Sequence, residues 1–448
     1  MTLLLHLLYR LYRILSSLRY WAQRHFTQAG LGVLAALVAA AMLALDTDNN
    51  VVYQAFTLLL FLLLIAAGFS WTFGVKWSVT RRLPRFGTVG RPLRYSLVVK
   101  NLAAKPQRGL VLLEKLTDPR PSFEDWQAAQ FGAEHGTRSF RFSQPRRTNP
   151  FKPAIVKDLA LPLVSPNQEV EVNNEIMPLR RGLLRFEGVA VARPDPLGLC
   201  RALTKVPLPQ TALILPKRYA LPSLALPGQH RYQAGGVALA SNVGQSEDFI
   251  ALRDYRHGDP LRHIHWRSWA KTGQPVVKEF EDEFFVRHGL VLDTFTSTPH
   301  SAVFEEAVSV AASFACTLLT QESLLDLLFV GAQSYCFTAG RGLAQADQML
   351  EILASVVPCR NQPFRTLEHL VLNHSSVLSG CICVLMAWDE ERREFVRKLR
   401  TLGVPLRVVV VMAPGRNEAL DPGPMREEPE GFCVLEAGRI EEGLAKLK

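Results

Sequence analysis

Leu406-Arg-Val-Val-Val-Val-Met412 decides how the second half of this chain is built. A strand with one face in water alternates apolar and polar residues, whereas this run is apolar on both faces, so both must be covered. Runs of the same kind stand on its N-terminal side at 289–293, 324–330 and 381–386. Helical periodicity fills the gaps at 302–320, 343–356, 367–378 and 390–402, and a last strand near Phe432 precedes a helix from Arg439. Alternation of doubly buried strands with helices predicts an α/β domain on a mostly parallel sheet covered on both faces.

Upstream the pattern changes. From Trp77 to about Leu215, short alternating runs broken by Pro and Gly read as strands at 94–100, 109–116, 139–142, 169–176 and 183–192, with no long amphipathic helix among them. A small β-sandwich is the economical fold. Residues 216–248, with Leu-Pro repeats and Gly235-Gly236, read as a connection.

Two apolar segments precede the sandwich. Residues 26–45 hold 20 positions without a charge and residues 49–75 hold 27; at 1.5 Å per residue each spans a hydrocarbon layer of roughly 30 Å. The link Asp46-Thr-Asp-Asn-Asn50 is short and acidic, so the segments are expected to form a transmembrane hairpin. Arg10, Arg13, Arg19 and Arg24 lie before it, and Lys76, Arg81, Arg82, Arg85, Arg91 and Arg94 after it. The positive-inside rule then puts both termini and the soluble domains on the cytoplasmic side of the inner membrane, in a multi-pass chain. Trp21, Trp71 and Trp77 fall where interfacial anchors belong. A cleaved signal peptide is disfavoured because a second span follows at once. His6, Arg10, Arg13, Ser17, Tyr20 and Arg24 form a polar stripe on a Leu-rich helix. Such a helix is expected to lie in the cytoplasmic headgroup layer, with packing on the soluble domain as the alternative. The expected units are thus 1–78, 79–215, 216–248 and 249–448.

Charge agrees with that division. The 448 residues are 48% hydrophobic and 21% charged, which excludes a disordered or disulfide-scaffold chain. The net charge of +10 suggests nucleic acid at first sight, but residues 1–113 carry +11 and the remainder −1, so the excess is a topology signal. Cys200, Cys316, Cys336, Cys359, Cys381, Cys383 and Cys433 form no C-x-x-C pair and read as reduced, buried thiols.

The most distinctive stretch runs from Glu247 to Gly273. Asp259 stands as an N-cap, Pro260 suits the first helical position, Lys271 favours a last turn and Gly273 ends it, which predicts a helix over 260–271. On that helix Arg262 and Trp266, at i and i+4, are placed for guanidinium–indole stacking. Glu279, Glu281, Asp282 and Glu283 offer carboxylates to Arg253, Arg256 or Arg262.

Leu252-Arg-Asp-Tyr-Arg-His-Gly-Asp-Pro-Leu-Arg-His-Ile-His-Trp266, continuing through Ala270 and Thr272-Gly273 to Val277-Lys-Glu-Phe280, resembles the signature of the domain-of-unknown-function-58 family. Arg181-Gly182, Asp195-Pro-Leu-Gly-Leu199, Leu213-Ile-Leu-Pro216 and the two N-terminal spans fit the same pattern. The resemblance implies a membrane-anchored bacterial protein with a β-domain and a von Willebrand factor A-like region, associated with MoxR-type AAA+ ATPases and transglutaminase-like membrane proteins. The family's biochemical activity is not established. Arg253, Tyr255, Arg256, Gly258, Asp259, Arg262 and Trp266 are then expected either to hold the soluble units together or to meet a partner such as the ATPase, the structural role being favoured.

An A-type metal site presents Asp-x-Ser-x-Ser after the first strand, because Mg²⁺ needs oxygen ligands in near-octahedral array. This chain has Asp293-Thr-Phe-Thr-Ser297, with Phe295 at the middle ligand position and Asp389 as a distal carboxylate, so no metal or other cofactor is expected. The same residues, Asp293, Ser297 and Asp389, would serve the alternative of a divalent-metal-dependent enzyme or ligand site. His257, His263 and His265 do not read as one ligand set, since residues two apart on a helix point about 200° apart. Thr298 is expected to cap a helix begun by Pro299. No phosphate loop, nucleophile elbow or zincin motif occurs. The expectation is a non-enzymatic membrane-anchored adaptor with membrane lipid and protein partners, and without nucleic acid.

Overall fold

The computed structural model describes residues 2–43, 50–71, 74–118, 120–131, 151–222, 249–257, 259, 261–280, 286–296, 298, 301–318, 324–340, 346–415 and 420–446. They form two compact units, Met1–Pro216 and Lys217–Lys448. The expected strand at 139–142, the acidic link 46–49 and most of the connection 216–248 lie outside the described residues.

The first unit opens with three helices, α1 (Thr2–His25), α2 (Gln28–Leu43) and α3 (Asn50–Trp71). Among the described residues α3 alone is long and apolar enough to cross a membrane, over Val51–Ser70 at a mean hydropathy of 2.3. The 16 residues of α2 reach about 24 Å at 1.5 Å per residue. Its last expected positions, 44 and 45, lie outside the described residues. Helix α2 packs through Val33, Leu34 and Leu37 on Leu63 and Ala66 of α3. Its start is held down: Thr27 donates its N–H to Leu199 O at 3.0 Å and its hydroxyl to Gly198 O. A side chain at Gly30 would place Cβ 1.9 Å from Leu199 O, so only glycine lets the helix approach that turn.

The β-sandwich follows. Strands β1 (Trp77–Arg82), β3 (Leu93–Asn101), β5 (Ala154–Val156) and β7 (Glu169–Pro178) make one sheet in the order β1-β3-β7-β5. Strands β2 (Phe86–Thr88), β4 (Val111–Leu116), β6 (Leu159–Ala160), β8 (Gly182–Pro194) and β9 (Arg201–Leu215) make the other in the order β2-β9-β8-β4-β6. Val79, Leu97, Val99 and Ile176 of the first sheet bury against Leu112, Phe186, Val191 and Ile214 of the second, as period-two alternation requires. A helix not expected from sequence, α4 (Phe123–Phe131), receives the polar and aromatic edge of α1. Of the polar stripe, His6 stacks on Phe123 and Arg24 reaches Glu114 O, while Arg10, Arg13, Ser17 and Tyr20 are exposed.

The second unit contains a hairpin, β10 (Phe249–Asp254) and β11 (Val276–Phe280), with a helix α5 (Trp266–Thr272) between its strands. The main sheet comprises β12 (Arg287–Leu292), β13 (Leu324–Val330), β14 (Ser334–Ala339), β15 (Gly380–Leu385), β16 (Leu406–Met412) and β17 (Phe432–Glu436). Its order is β14-β13-β12-β15-β16-β17, parallel except for β14, which runs antiparallel to β13. Helices α6 (Ala302–Leu318), α7 (Ala346–Ser355), α8 (Arg365–His374), α9 (Glu390–Thr401) and α10 (Ile440–Leu444) connect or flank these strands. Val291, Leu328, Cys383 and Val410 pack on Leu367 and Val371 of α8 and Phe395 and Leu399 of α9. The alternate strand residues Leu290, Ile382 and Val409 are also fully buried, so both sheet faces are covered. The four expected apolar runs coincide with β12, β13, β15 and β16 to within two residues, whereas β14 was not expected.

Helix α6 begins at Ala302, and the side chain that meets its first turn is Ser301, which accepts from Phe304 N at 3.4 Å. The Thr298 hydroxyl contacts that of Thr296 at 3.1 Å, and Pro299, the expected first helical position, lies outside the described residues.

Candidate functional site

Two places in the second unit concentrate chemistry. The first is the crevice beyond the carboxyl ends of β12 and β15, where the strand order reverses; in open parallel sheets this is the usual ligand position. Asp293, wholly buried, leaves β12 there. Its Oδ1 accepts from Phe295 N at 3.0 Å and its Oδ2 from Met386 N at 3.1 Å. The same Oδ2 accepts from Arg392 Nε at 2.7 Å, and Arg392 Nη1 reaches Asp389 Oδ2 at 2.5 Å. Asp389 also caps α9 by accepting from Arg392 N at 3.1 Å. The arginine thus bridges the two carboxylates that the metal-dependent alternative would join through an ion. Burial opposes its charge, but Asp293 and then Asp389 outweigh burial and raise its pKa above the ordinary guanidinium value. Its Cζ stands 4.7 Å from the Phe364 ring centroid, and Phe364 in turn meets Phe295 edge-on at 5.6 Å.

These residues do not fit a divalent ion. The guanidinium supplies the positive charge at the Asp293 carboxylate, Phe295 carries no oxygen donor, and the Thr294 hydroxyl donates to Val330 O. Ser297 lies outside the described residues. No group of three or more His, Cys, Asp or Glu with metal-holding geometry occurs among the described residues.

The second place is the hairpin carrying the signature. Arg253 on β10 makes a two-pronged contact with Asp259, Nη1 to Oδ2 at 2.7 Å and Nη2 to Oδ1 at 2.8 Å. Asp259 Oδ2 also accepts from Arg256 N at 2.8 Å. These contacts, first from Arg253 and then from the Arg256 amide, hold the Asp259 carboxyl down to a pKa of about 2. Tyr255 continues the ladder by donating its N–H to Pro275 O at 2.9 Å. Asp259 therefore locks the loop and does not cap a helix.

The expected helix over 260–271 is divided. Leu261–His263 form a 3₁₀ turn, Ile264 bridges Val277 as a short strand, and α5 starts only at Trp266. Ile264 is 6% exposed, and His265 donates its N–H to Val276 O at 2.8 Å, so burial and sheet bonding override the capping pattern. The expected end does hold: Gly273 has φ 71° and donates to Trp269 O at 2.9 Å. Trp266 does not stand one helical turn after Arg262; its ring stacks on Trp269, centroids 5.2 Å apart. It remains 62% exposed, with Leu261 at 68%. Gly258 and the Arg262 side chain lie outside the described residues. His265 pairs with Ser268 Oγ at 2.7 Å, and His257 is in an exposed turn.

Residues 251–426 match the family model described as Protein of unknown function DUF58. The DUF58 match opens in β10 and covers both the hairpin and the arginine-filled crevice. The uncharacterized protein YeaD of Bacillus subtilis (strain 168) is 28% identical over 205 residues, covering 45% of this chain and 49% of that protein. The chain thus aligns with about half the length of that relative. Among solved structures, a CARDB domain from Pyrococcus furiosus covers 31% of this chain and 94% of its own at 14% identity and a TM-score of 0.18. A beta-glucosidase from Listeria innocua covers 32% of this chain and 16% of its own at 12% identity and a TM-score of 0.16. At such scores neither bears on fold or activity.

Proposed function

We propose that the chain is a non-enzymatic, membrane-anchored docking protein, and that the DUF58-matching hairpin is its recognition surface. The observation that carries this reading is the division of labour within the signature. Arg253 and Asp259 are spent on locking the loop, while Trp266 and Leu261 stand exposed on it. A rigid platform that presents an indole and an aliphatic side chain has the makeup of a protein-binding hot spot. Arg256, Arg267 and Lys271, also exposed, ring it with positive charge and favour an acidic partner surface.

A MoxR-type AAA+ ATPase is the partner that the family resemblance implies, with a transglutaminase-like membrane protein as a further one. Helix α3 and its neighbour α2 would hold the chain in the cytoplasmic membrane as a two-span hairpin, with both units cytosolic. A strand order in which the first strand lies centrally and the third runs antiparallel at one edge supports the von Willebrand factor A-like reading. In this reading the A-like fold persists without its metal because Arg392 supplies the positive charge from within the chain.

The test is binding of the full chain, in nanodiscs, to a purified MoxR-type ATPase. Trp266→Ala and Leu261→Asp are each expected to weaken it by about 30-fold or more, the equivalent of a hot-spot loss of about 2 kcal/mol, with the melting temperature unchanged. Unaltered affinity in both variants would overturn the recognition role.

A further inference from the structure

Helix α1 has two faces with different fates. Its polar and aromatic edge is used inside the first unit: Tyr9 Oη donates to Pro121 O at 2.8 Å, the His6 ring stacks on Phe123 at 3.9 Å, and Arg24 Nη2 donates to Glu114 O at 2.6 Å. The opposite face is a stripe at helical spacing, Leu3, Leu7, Leu11, Ile14, Leu18 and Trp21, each 51–80% exposed. An apolar stripe of that length is costly in water and calls for a cover.

Three observations identify the cover as lipid. The stripe leads into the apolar helices along the chain, since α1 ends at His25 and α2 begins at Gln28. Helix α1 carries no acidic residue, while Arg10, Arg13 and Arg19 project into solvent along it. At its C-terminal end a pocket of about 250 Å³ is lined by Tyr20, Arg24, Glu114, Lys152, Asp158 and Arg201. The Glu114 carboxylate is already occupied by Arg81 and Tyr95, and Asp158 by Arg201. These pairings leave the charges of Arg24 and Lys152 in excess, with Arg201 keeping further N–H donors, beside a helix whose apolar face would sit at headgroup depth.

We propose that the first unit binds anionic phospholipid, with the leucine stripe of α1 at the boundary of headgroups and acyl chains and the lipid phosphate received against Arg24, Lys152 and Arg201. The proposal rests on the membrane anchorage argued above and deepens it. The helix that grips the β-domain would also lie on the bilayer, which holds that domain at the membrane surface.

The experiment uses the full chain in nanodiscs with acyl-brominated lipids and a genetically incorporated fluorescent amino acid at Leu11, at Leu58 of α3, or at the exposed Glu124 of α4. Bromine quenching is expected at Leu11 and Leu58 and not at Glu124. Native mass spectrometry is expected to show phosphatidylglycerol retained over phosphatidylcholine by about fivefold per engaged cation. Lys152→Glu with Arg201→Glu should abolish that preference without lowering the melting temperature. Quenching at Leu58 but not Leu11, or crosslinking of Leu11 to another protein chain, overturns the proposal while leaving the anchor intact; no quenching at Leu58 removes the anchor itself. Retention unchanged in the double variant, or loss of the preference on adding inorganic phosphate, overturns the assignment to a lipid headgroup.

Discussion

Asp293 and Asp326 are both wholly buried carboxylates in one sheet, and each is answered by a single arginine. Arg287 grips Asp326 at 2.7 and 3.0 Å, helped by the Thr338 hydroxyl at 2.6 Å. Such pairs add little over an apolar replacement, but removing one partner strands the other charge. Arg392→Met is therefore expected to lower stability by about 3–5 kcal/mol, and Asp293→Asn added to it should restore much of the loss. Urea unfolding of the two variants checks this. If Arg392→Met proved neutral, the guanidinium would not be the charge that Asp293 needs. His288 offers a pH test. It is 3% exposed and its Nδ1 has no hydrogen-bond partner among the described residues, and burial lowers its pKa below the ordinary 6.5. Its contribution is fully present above pH 6.5. As pH falls below that value the unfolded chain takes up a proton that the native site excludes, so stability declines. His288→Leu should flatten the melting temperature between neutral and mildly acidic pH relative to the parent chain.

At the scale of elements, the hairpin shows where local grammar yields. Asp259-Pro260 has every mark of a helix start, yet the Ile264–Val277 bridge interrupts the helix because a buried isoleucine and a sheet hydrogen bond outweigh a cap of about 1 kcal/mol. Asp259→Asn should therefore leave α5 helical while speeding hydrogen exchange at the Arg256 amide; faster exchange in α5 instead would restore the capping role. Strand β9 escaped notice for a related reason. Pro207 and Pro209 read as punctuation, but Pro207 sits at an irregularity opposite Gly188, where a Cβ would come within 2.4 Å of Val206 O. Gly188→Val is expected to cost about 1–3 kcal/mol by overpacking, measurable as a lowered melting temperature. The short strand β14 was missed because Ser334-Tyr-Cys-Phe-Thr-Ala339 lacks the doubly apolar composition of its neighbours. An edge strand needs no such composition.

For the whole molecule, the two-span anchorage proposed above predicts one topology. An epitope inserted after Asp48 should be reached by antibody from outside spheroplasts, whereas one at the exposed Leu402 should require permeabilisation. Access to the Asp48 epitope from the cytosolic side alone would invert the arrangement. The sequence by itself determined the four central strands, their helices, the apolar helices of the first unit and the Gly273 stop, because periodicity and backbone propensity act over a few residues. Tertiary structure alone decided that Arg392 answers Asp293 across 99 positions, that Thr27 hooks onto Leu199, and that α1 spends its polar edge on the β-domain. A charge or hydroxyl does not encode its partner locally; folding brings the partner near, and burial then makes the pairing obligatory.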